Sequence, residues 1–210
     1  EAGLFHRFDA TNILKENLAS IVTSIGIDHL DWLPKNEQNI NKIIFEKTSN
    51  LLKSNIIIAK QSSRDISENI KKTIKKNKSN KILFNEDYNF SLDENNFFYY
   101  EDQFGGMKLP NPNVNGQFQL ENISSAIATL RSIEQLKITD EQIKLGITKI
   151  HSIARLQEIT DGKLKDLIKD NRLLIDGSHN PLGAKVLNNY LNSLDCNKHI
   201  ILGMMANKNH

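Results

Sequence analysis

The run S-I-V-T-S-I-G-I at residues 20–27 leads directly into Asp28 and His29. It is apolar and β-branched without strict alternation. That is the pattern of a strand covered on both faces, not of one with a face in water. Residues 36–53 follow with helical spacing, placing Ile40, Ile43, Ile44, Thr48, Leu51 and Leu52 on one side. Residues 55–59 (N-I-I-I-A) read as a second buried strand, 64–80 as a helix with Ile66, Ile70 and Ile74 in its stripe, and 81–84 as a short strand. Strand and helix in alternation predict an α/β architecture with a mostly parallel sheet. In such a sheet ligands gather at the carboxyl ends of the strands, where Asp28 and His29 are expected.

Outward from this core the pattern changes twice. Residues 89–110 carry Phe97, Phe98, Tyr99 and Tyr100 and read as antiparallel strands or a loop. After the turn at Pro110-Asn111-Pro112, residues 116–136 predict a helix with Ile123, Ala126, Ile127 and Leu130 as its apolar stripe. Residues 139–150 predict another, opened by a capping box of Thr139 and Gln142. A connector spans 151–161. A strand is expected over 172–175, a helix over 180–194 with Pro181 in its first turn, and the start of a strand over 200–202. The change near residue 150 divides the chain into units 1–137 and 148–210.

Bulk properties exclude several classes. Of the 210 residues, 39% are hydrophobic and 25% charged, the balance of a soluble globular protein. The net charge of +2 is too near neutral to point to nucleic acid or a membrane. Lys71, Lys72, Lys75, Lys76 and Lys78 read as the solvated face of a helix. The single cysteine, Cys196, cannot form an internal disulfide, so a reducing, cytoplasmic setting is compatible. No run reaches the roughly 18–20 apolar residues of a membrane span, and no signal peptide is visible. The chain opens on Glu1, not Met, and both ends read as cut.

Four segments hold residue types suited to chemistry. E-A-G-L-F-H-R-F-D-A-T-N at residues 1–12 mixes an acid, basic groups and a turn. In T-S-I-G-I-D-H at 23–29, His29 could ligate a metal, act as acid or base, or be structural. In F-E-K-T at 45–48, Lys47 could be reactive or could snorkel from an apolar helix face. In I-D-G-S-H-N-P at 175–181, a strand delivers Asp176 into a glycine turn, and Pro181 opens a helix whose amides could receive an anion. Asp176 could accept from ribose hydroxyls, or the segment could be a capped turn using Ser178 or Asn180.

In order and spacing these segments resemble the folylpolyglutamate synthase/dihydrofolate synthase family of Mur-type ligases. The family reads E-V-G-L-G-G-R-x-D-A-T-N, T-S-I-G-x-D-H and E-K-A-G-I, then G-x-x-Q-x-x-N-A-A-x-A, G-R-x-E and D-G-A-H-N-P. Here stand E-A-G-L-F-H-R-F-D-A-T-N, T-S-I-G-I-D-H, E-K-T-S-N, G-Q-F-Q-L-E-N-I-S-S-A-I-A, A-R-L-Q-E and D-G-S-H-N-P. The resemblance implies the rear of a P-loop-type Mur ligase central domain followed by the start of a Rossmann-like C-terminal domain. It implies an ATP-dependent acid–amino-acid ligase that joins L-glutamate to a folate or dihydropteroate carboxylate through an acyl phosphate. ATP and Mg2+ are the implied cofactors. The chain is expected to be a monomer or to be completed by a missing N-terminal segment.

Residue by residue, Glu1 and His29 match the family's magnesium ligands. Lys47 matches a lysine that the family carbamylates, which would let it hold a second Mg2+. Asn122, Arg155 and Asp176 match ATP contacts, and His179 shares their loop near the phosphates, where with Lys47 it is assigned a catalytic role. There are departures. No glycine-rich phosphate loop of the G-T-N-G-K-G-S kind occurs, so the 210 residues alone are expected to be inactive. Phe5-His6, Thr48-Ser49 and Ala154 stand where the family has small residues. Two alternatives follow: a non-catalytic remnant of such a ligase, or a Mur-type ligase for another substrate.

Overall fold

The run at residues 20–27 forms a strand only in its first part. In a computed structural model that describes residues 9–94 and 97–205, β1 (Ala19–Val22) pairs in parallel with β2 (Asn55–Ile58), and β2 with β3 (Lys81–Leu83). The three-residue apolar run of β2 is the centre of this sheet: Ile56 and Ile57 are 0% exposed and Ile58 is 1%. Side chains alternate across a strand, and the packing follows. Ile56 and Ile58 pack with Ile43 and Ile44 of α1 (Ile40–Thr48) and with Ile70 and Ile74 of α2 (Arg64–Ile74). Ile57 faces the other way, among Ile123, Ile127 and Ala128 of α3 (Gln117–Ser132).

Helix starts are set by side-chain caps. Asn39 accepts from the Lys42 amide and Ser63 from the Ile66 amide. The helix expected from residue 36 therefore begins later, after a 3-10 turn at Lys35–Glu37 that follows Pro34. The helix expected over 64–80 stops at Ile74. Beyond it Asn77 donates to Leu51 O and accepts from the Ser79 amide, a local geometry that replaces another helical turn. The capping box of Thr139 and Gln142 opens α4 (Asp140–Thr148), as its spacing predicts.

The segment 89–110 is an antiparallel meander, β4 (Tyr88–Leu92), β5 (Phe98–Asp102) and β6 (Gly105–Leu109). Phe98 and Tyr100 are buried while Tyr99 between them is exposed. Their inward faces join Ile123 and Ile127 of α3 and Ile143 and Ile147 of α4. Asp102 pairs with Gly105 across a two-residue turn, and Gly105 has φ +109°, which a side chain would resist. Asp102 accepts from Arg131 Nε at 2.9 Å and from Tyr100 OH at 3.0 Å, while Arg131 Nη1 donates to Asp140 at 2.8 Å. This network, nearly buried at Asp102 and Arg131, ties the meander to α3 and to the start of α4.

Beyond residue 150 stand β7 (Gln157–Ile159), α5 (Lys163–Ile168), β8 (Leu173–Ile175) and α6 (Pro181–Asn192). β7 and β8 pair antiparallel. The expectation of a mostly parallel sheet thus holds for β1–β3 alone, because the meander and the β7–β8 pair are both antiparallel. The sequence does not predict α5; of its three apolar residues Leu164 and Leu167 are exposed and Ile168 is half-buried. No strand forms over 200–202, where Ile200, Ile201 and Leu202 are exposed.

The segment joining the two parts is held in a costly backbone shape. Ala154 and Leu156 both have left-handed φ, +51° and +50°. Polar contacts impose it. The Leu156 amide donates to Asp176 Oδ2 and its carbonyl accepts from Asn115 Nδ2, both at 2.9 Å. The Ala154 amide donates to Gln157 Oε1 at 2.9 Å, and its carbonyl accepts from the Gly177 amide at 2.8 Å.

Two stability changes are expected in urea denaturation. Asp102→Ala should destabilise by about 3 kcal/mol, since it leaves Arg131 and Tyr100 facing a vacated, nearly buried site. Ala154→Gly should stabilise by about 0.5–1 kcal/mol, the left-handed penalty less the added chain entropy of glycine.

Candidate functional site

A cavity of about 710 Å3 opens between the carboxyl ends of β1 and β2, the first turns of α3 and the β8–α6 loop. β1 ends at Val22, and the chain from Thr23 onward runs as a loop to Asp28. Gln61, just past β2, takes over the ladder: its Oε1 accepts from the Ile25 amide at 2.9 Å, and its Nε2 donates to Thr23 O and Ala59 O at 3.2 and 2.8 Å. Beside it Lys60 forms an ion pair with Glu121 of α3 at 2.8 Å. Asn122, one residue on, donates to Gln119 Oε1, and Gln119 in turn donates to Ser152 Oγ at 3.0 Å.

The opposite wall is the β8–α6 loop. Asp176 Oδ1 accepts from the Ser178 amide at 2.8 Å and Oδ2 from the Leu156 amide at 2.9 Å. The carboxylate therefore folds the loop and still faces the cavity. Arg155 is exposed and donates through Nη1 to Ala154 O at 3.1 Å. A Cβ on Gly177 would stand 2.8 Å from that Nη1, so the glycine makes room for the guanidinium. His179 Nδ1 lies 3.0 Å from Gly177 O, and its Nε2 lies 3.5 Å from Asp28 Oδ2. Asn180 caps α6 through Oδ1 on the Gly183 amide at 2.9 Å, and Pro181 occupies the first turn.

Electrostatically the cavity is mixed but suits an anion. Lys60, Arg155 and Lys185 bring positive charge against Glu121 and Asp176. The amino-terminal turns of both α3 and α6 border it, and α3 is capped by Gly116, which offers no side-chain acceptor to its first amides.

Of the expected site residues, Asn122, Arg155, Asp176 and His179 line this one cavity. His29 stands just outside it, with left-handed φ of +55° and its Nε2 3.8 Å from Asp28 Oδ2. Lys47 lies in the last turn of α1, away from the cavity lining and next to the fully buried Glu46. Thr48 is buried and donates to Ile44 O at 2.7 Å, so its hydroxyl is used within α1. Glu1, Phe5 and His6 lie outside the described residues. Among the described residues no group of three or more His, Cys, Asp and Glu side chains could by itself hold a metal ion. Lys60 and Gln61 went unnoticed in the sequence; their signal was available, since they directly follow the buried N-I-I-I-A strand.

No family model matches the chain. Curated relatives do. The dihydrofolate synthase/folylpolyglutamate synthase of Escherichia coli is 26% identical over 211 residues, covering 99% of this chain and 45% of the relative. That of Haemophilus influenzae is 25% identical over 208 residues, covering 92% of this chain and 44% of the relative. The chain thus spans less than half the length of the curated relatives it matches. Among solved structures, E. coli FolC in complex with ADP superposes with a TM-score of 0.76 at 26% identity, covering 94% of this chain and 44% of that one. An FPGS–AMPPCP–folate complex superposes at 0.74 with 24% identity, covering 92% of this chain and 46% of that one, a likeness of fold. In sequence along nearly its whole length, and in fold, the chain is similar to dihydrofolate synthase/folylpolyglutamate synthases.

Proposed function

We propose that the chain is part of an ATP-dependent ligase that joins L-glutamate to a folate or dihydropteroate carboxylate through an acyl phosphate. The observation that carries this reading is the meeting of Asn122, Arg155, Asp176 and His179 in one cavity at the carboxyl ends of β1 and β2. The relatives supply the chemistry: solved relatives include E. coli FolC with ADP and an FPGS with AMPPCP and folate.

In this reading ATP occupies the cavity. Each oxygen of Asp176 already accepts one backbone amide, and each keeps acceptor capacity for a ribose hydroxyl. Arg155 faces the phosphates, where a planar guanidinium can hold two oxygens at once. Asn122 contributes a further ATP contact from α3. His179, beside Gly177 and Asp28, sits where it can orient a phosphate oxygen. The reacting partners are small molecules only: ATP, L-glutamate and the folate or dihydropteroate, with no nucleic acid and no membrane. The units 1–137 and 148–210 would be the central and C-terminal portions of a cytoplasmic, monomeric ligase.

Mg2+ would neutralise crowded phosphate oxygens in such a transfer. Glu1, His29 and a carbamylated Lys47 are the residues proposed to hold it. Of these three, only His29, beside the carboxylate of Asp28, lies near the cavity among the described residues. That set is too small for a cation that prefers six oxygens, so Glu1, ATP and water would have to complete it.

One observation favours the second reading, a non-catalytic remnant. Ala154 occupies a left-handed position that a glycine would hold without strain, next to Arg155. Retained nucleotide binding without ligation would fit that reading.

Asp176→Ala should weaken ATP binding about tenfold or more in calorimetry, as expected when charge-assisted hydrogen bonds to the ribose are lost; unchanged affinity would remove the ribose role. The full reading frame that encodes this chain should incorporate labelled glutamate into dihydropteroate or tetrahydrofolate in an ATP-dependent manner. Incorporation into neither by the folded protein would sink the ligase reading. Lys47→Ala should lower that activity and abolish any stimulation by bicarbonate; unchanged activity would leave Lys47 a structural residue.

A further inference from the structure

The two walls of the cavity come from segments far apart in the chain, and one carboxylate joins them. Asn180 Nδ2 donates to Asp28 Oδ2 at 2.9 Å across a separation of 152 residues. The same carboxamide caps α6 through its oxygen, so a single side chain links the first turn of the helix to the loop after β1. Asp28 is itself held: its Oδ1 accepts from the His29 amide at 2.8 Å. His179 Nε2 lies 3.5 Å from the oxygen that Asn180 binds.

Packing beneath this contact leaves no slack. A Cβ on Gly26 would stand 2.9 Å from Leu182 Cβ and Cδ2, so the loop backbone touches the first turn of α6 directly. A Cβ on Gly183 would stand 2.7 Å from Ser178 Oγ, which closes the loop against the helix from its other side. Gln61 fastens the loop to the end of β2 through Thr23 and Ile25. A continuous path thus runs from β2 through Gln61, the 23–28 loop, Asp28 and Asn180 to the start of α6.

We propose that Asp28 is a positioning residue: it seats α6 and His179 against the loop after β1, and so fixes the width of the cavity. Its role at an ATP site rests on the ligase reading above; the joint itself does not. Asp28 acts through Asn180 and touches no reacting atom.

Three variants test it: Asp28→Ala, Asn180→Asp and the swap Asp28→Asn with Asn180→Asp. Aspartate caps a helix about as well as asparagine, so Asn180→Asp spares the cap and sets two carboxylates face to face. The swap restores a donor opposite an acceptor. Amide hydrogen exchange is read over residues 182–184 and 24–28, and ATP affinity is read by calorimetry. Exchange should quicken about tenfold in both single variants, as loss of a charge-assisted bond implies, and return to within about twofold of the parent in the swap. ATP affinity should fall and recover in the same order. Unchanged exchange in both single variants, or a swap no better than Asn180→Asp, overturns the proposal. Recovery of exchange with ATP affinity constant throughout overturns the positioning role. If the parent chain binds no ATP at all, the nucleotide reading fails, and the exchange pattern alone decides whether Asp28 seats α6. Should Asp28→Ala fail to fold, the comparison of Asn180→Asp with the swap still decides.

Discussion

β2 has to be covered on both faces. Three consecutive isoleucines, Ile56, Ile57 and Ile58, cannot alternate between oil and water, so the chain must supply an apolar layer above and below. Burying one such side chain is worth about 1.5–3 kcal/mol. Both layers therefore form around this strand: α1 and α2 on the side of Ile56 and Ile58, α3 with the meander on the side of Ile57. Parallel neighbours need crossovers, and the helices that supply the crossovers are the same helices that supply the cover. The carboxyl ends of β1 and β2 then emerge together at one edge, which is where the cavity opens.

What β2 cannot do is continue β1 to residue 27. The strand pairing ends at Val22 opposite Ile58, and Gln61 substitutes a side-chain amide for the missing backbone partners. A loop held this way can bend, and its bend carries Asp28 towards α6. The site is thus made by the failure of the strand to extend, at the place where a ligand needs space. The left-handed φ of His29 belongs to the same bend.

Much of this was legible in the residues. The strands at Asn55–Ile58 and Lys81–Leu83, the helix after the proline turn and the Thr139 capping box follow from period and cap chemistry, which act locally. The four cavity residues Asn122, Arg155, Asp176 and His179 were legible through ordered motifs, since spacing preserves which loops they occupy. The rest depends on contacts remote in sequence. Nothing local says that Gln61 will complete β1, or that Asn180 will reach across to Asp28. The strand expected over 200–202 carries the right residue types, yet it pairs with no strand among the described residues and stays exposed. The position of Lys47 shows the same limit: its motif placed it in the family's order, while the fold sets it on α1, outside the cavity lining.

The two parts of the chain are joined by a different kind of force from the one that organises the first. α5, β8 and α6 bury no residue fully, and of the connector only Leu156 is deeply buried. The connection instead runs through polar bonds: Asn115 to Leu156 O, Gln119 to Ser152 and Asn180 to Asp28. Each such bond is worth about 0.5–3 kcal/mol, depending on whether a charge takes part, and each works only at short range and in one direction. Apolar burial tolerates sliding; hydrogen bonds do not. A small number of them can therefore hold the second wall of the cavity at a defined distance while contributing little to overall stability. The strained backbone at Ala154 and Leu156 survives for a related reason: bonds from Asp176, Asn115, Gln157 and Gly177 impose it, and the one from Asn115 also joins the two parts. Relaxing the strain at Leu156 would mean releasing Asp176, and with it the loop that presents Arg155 and His179.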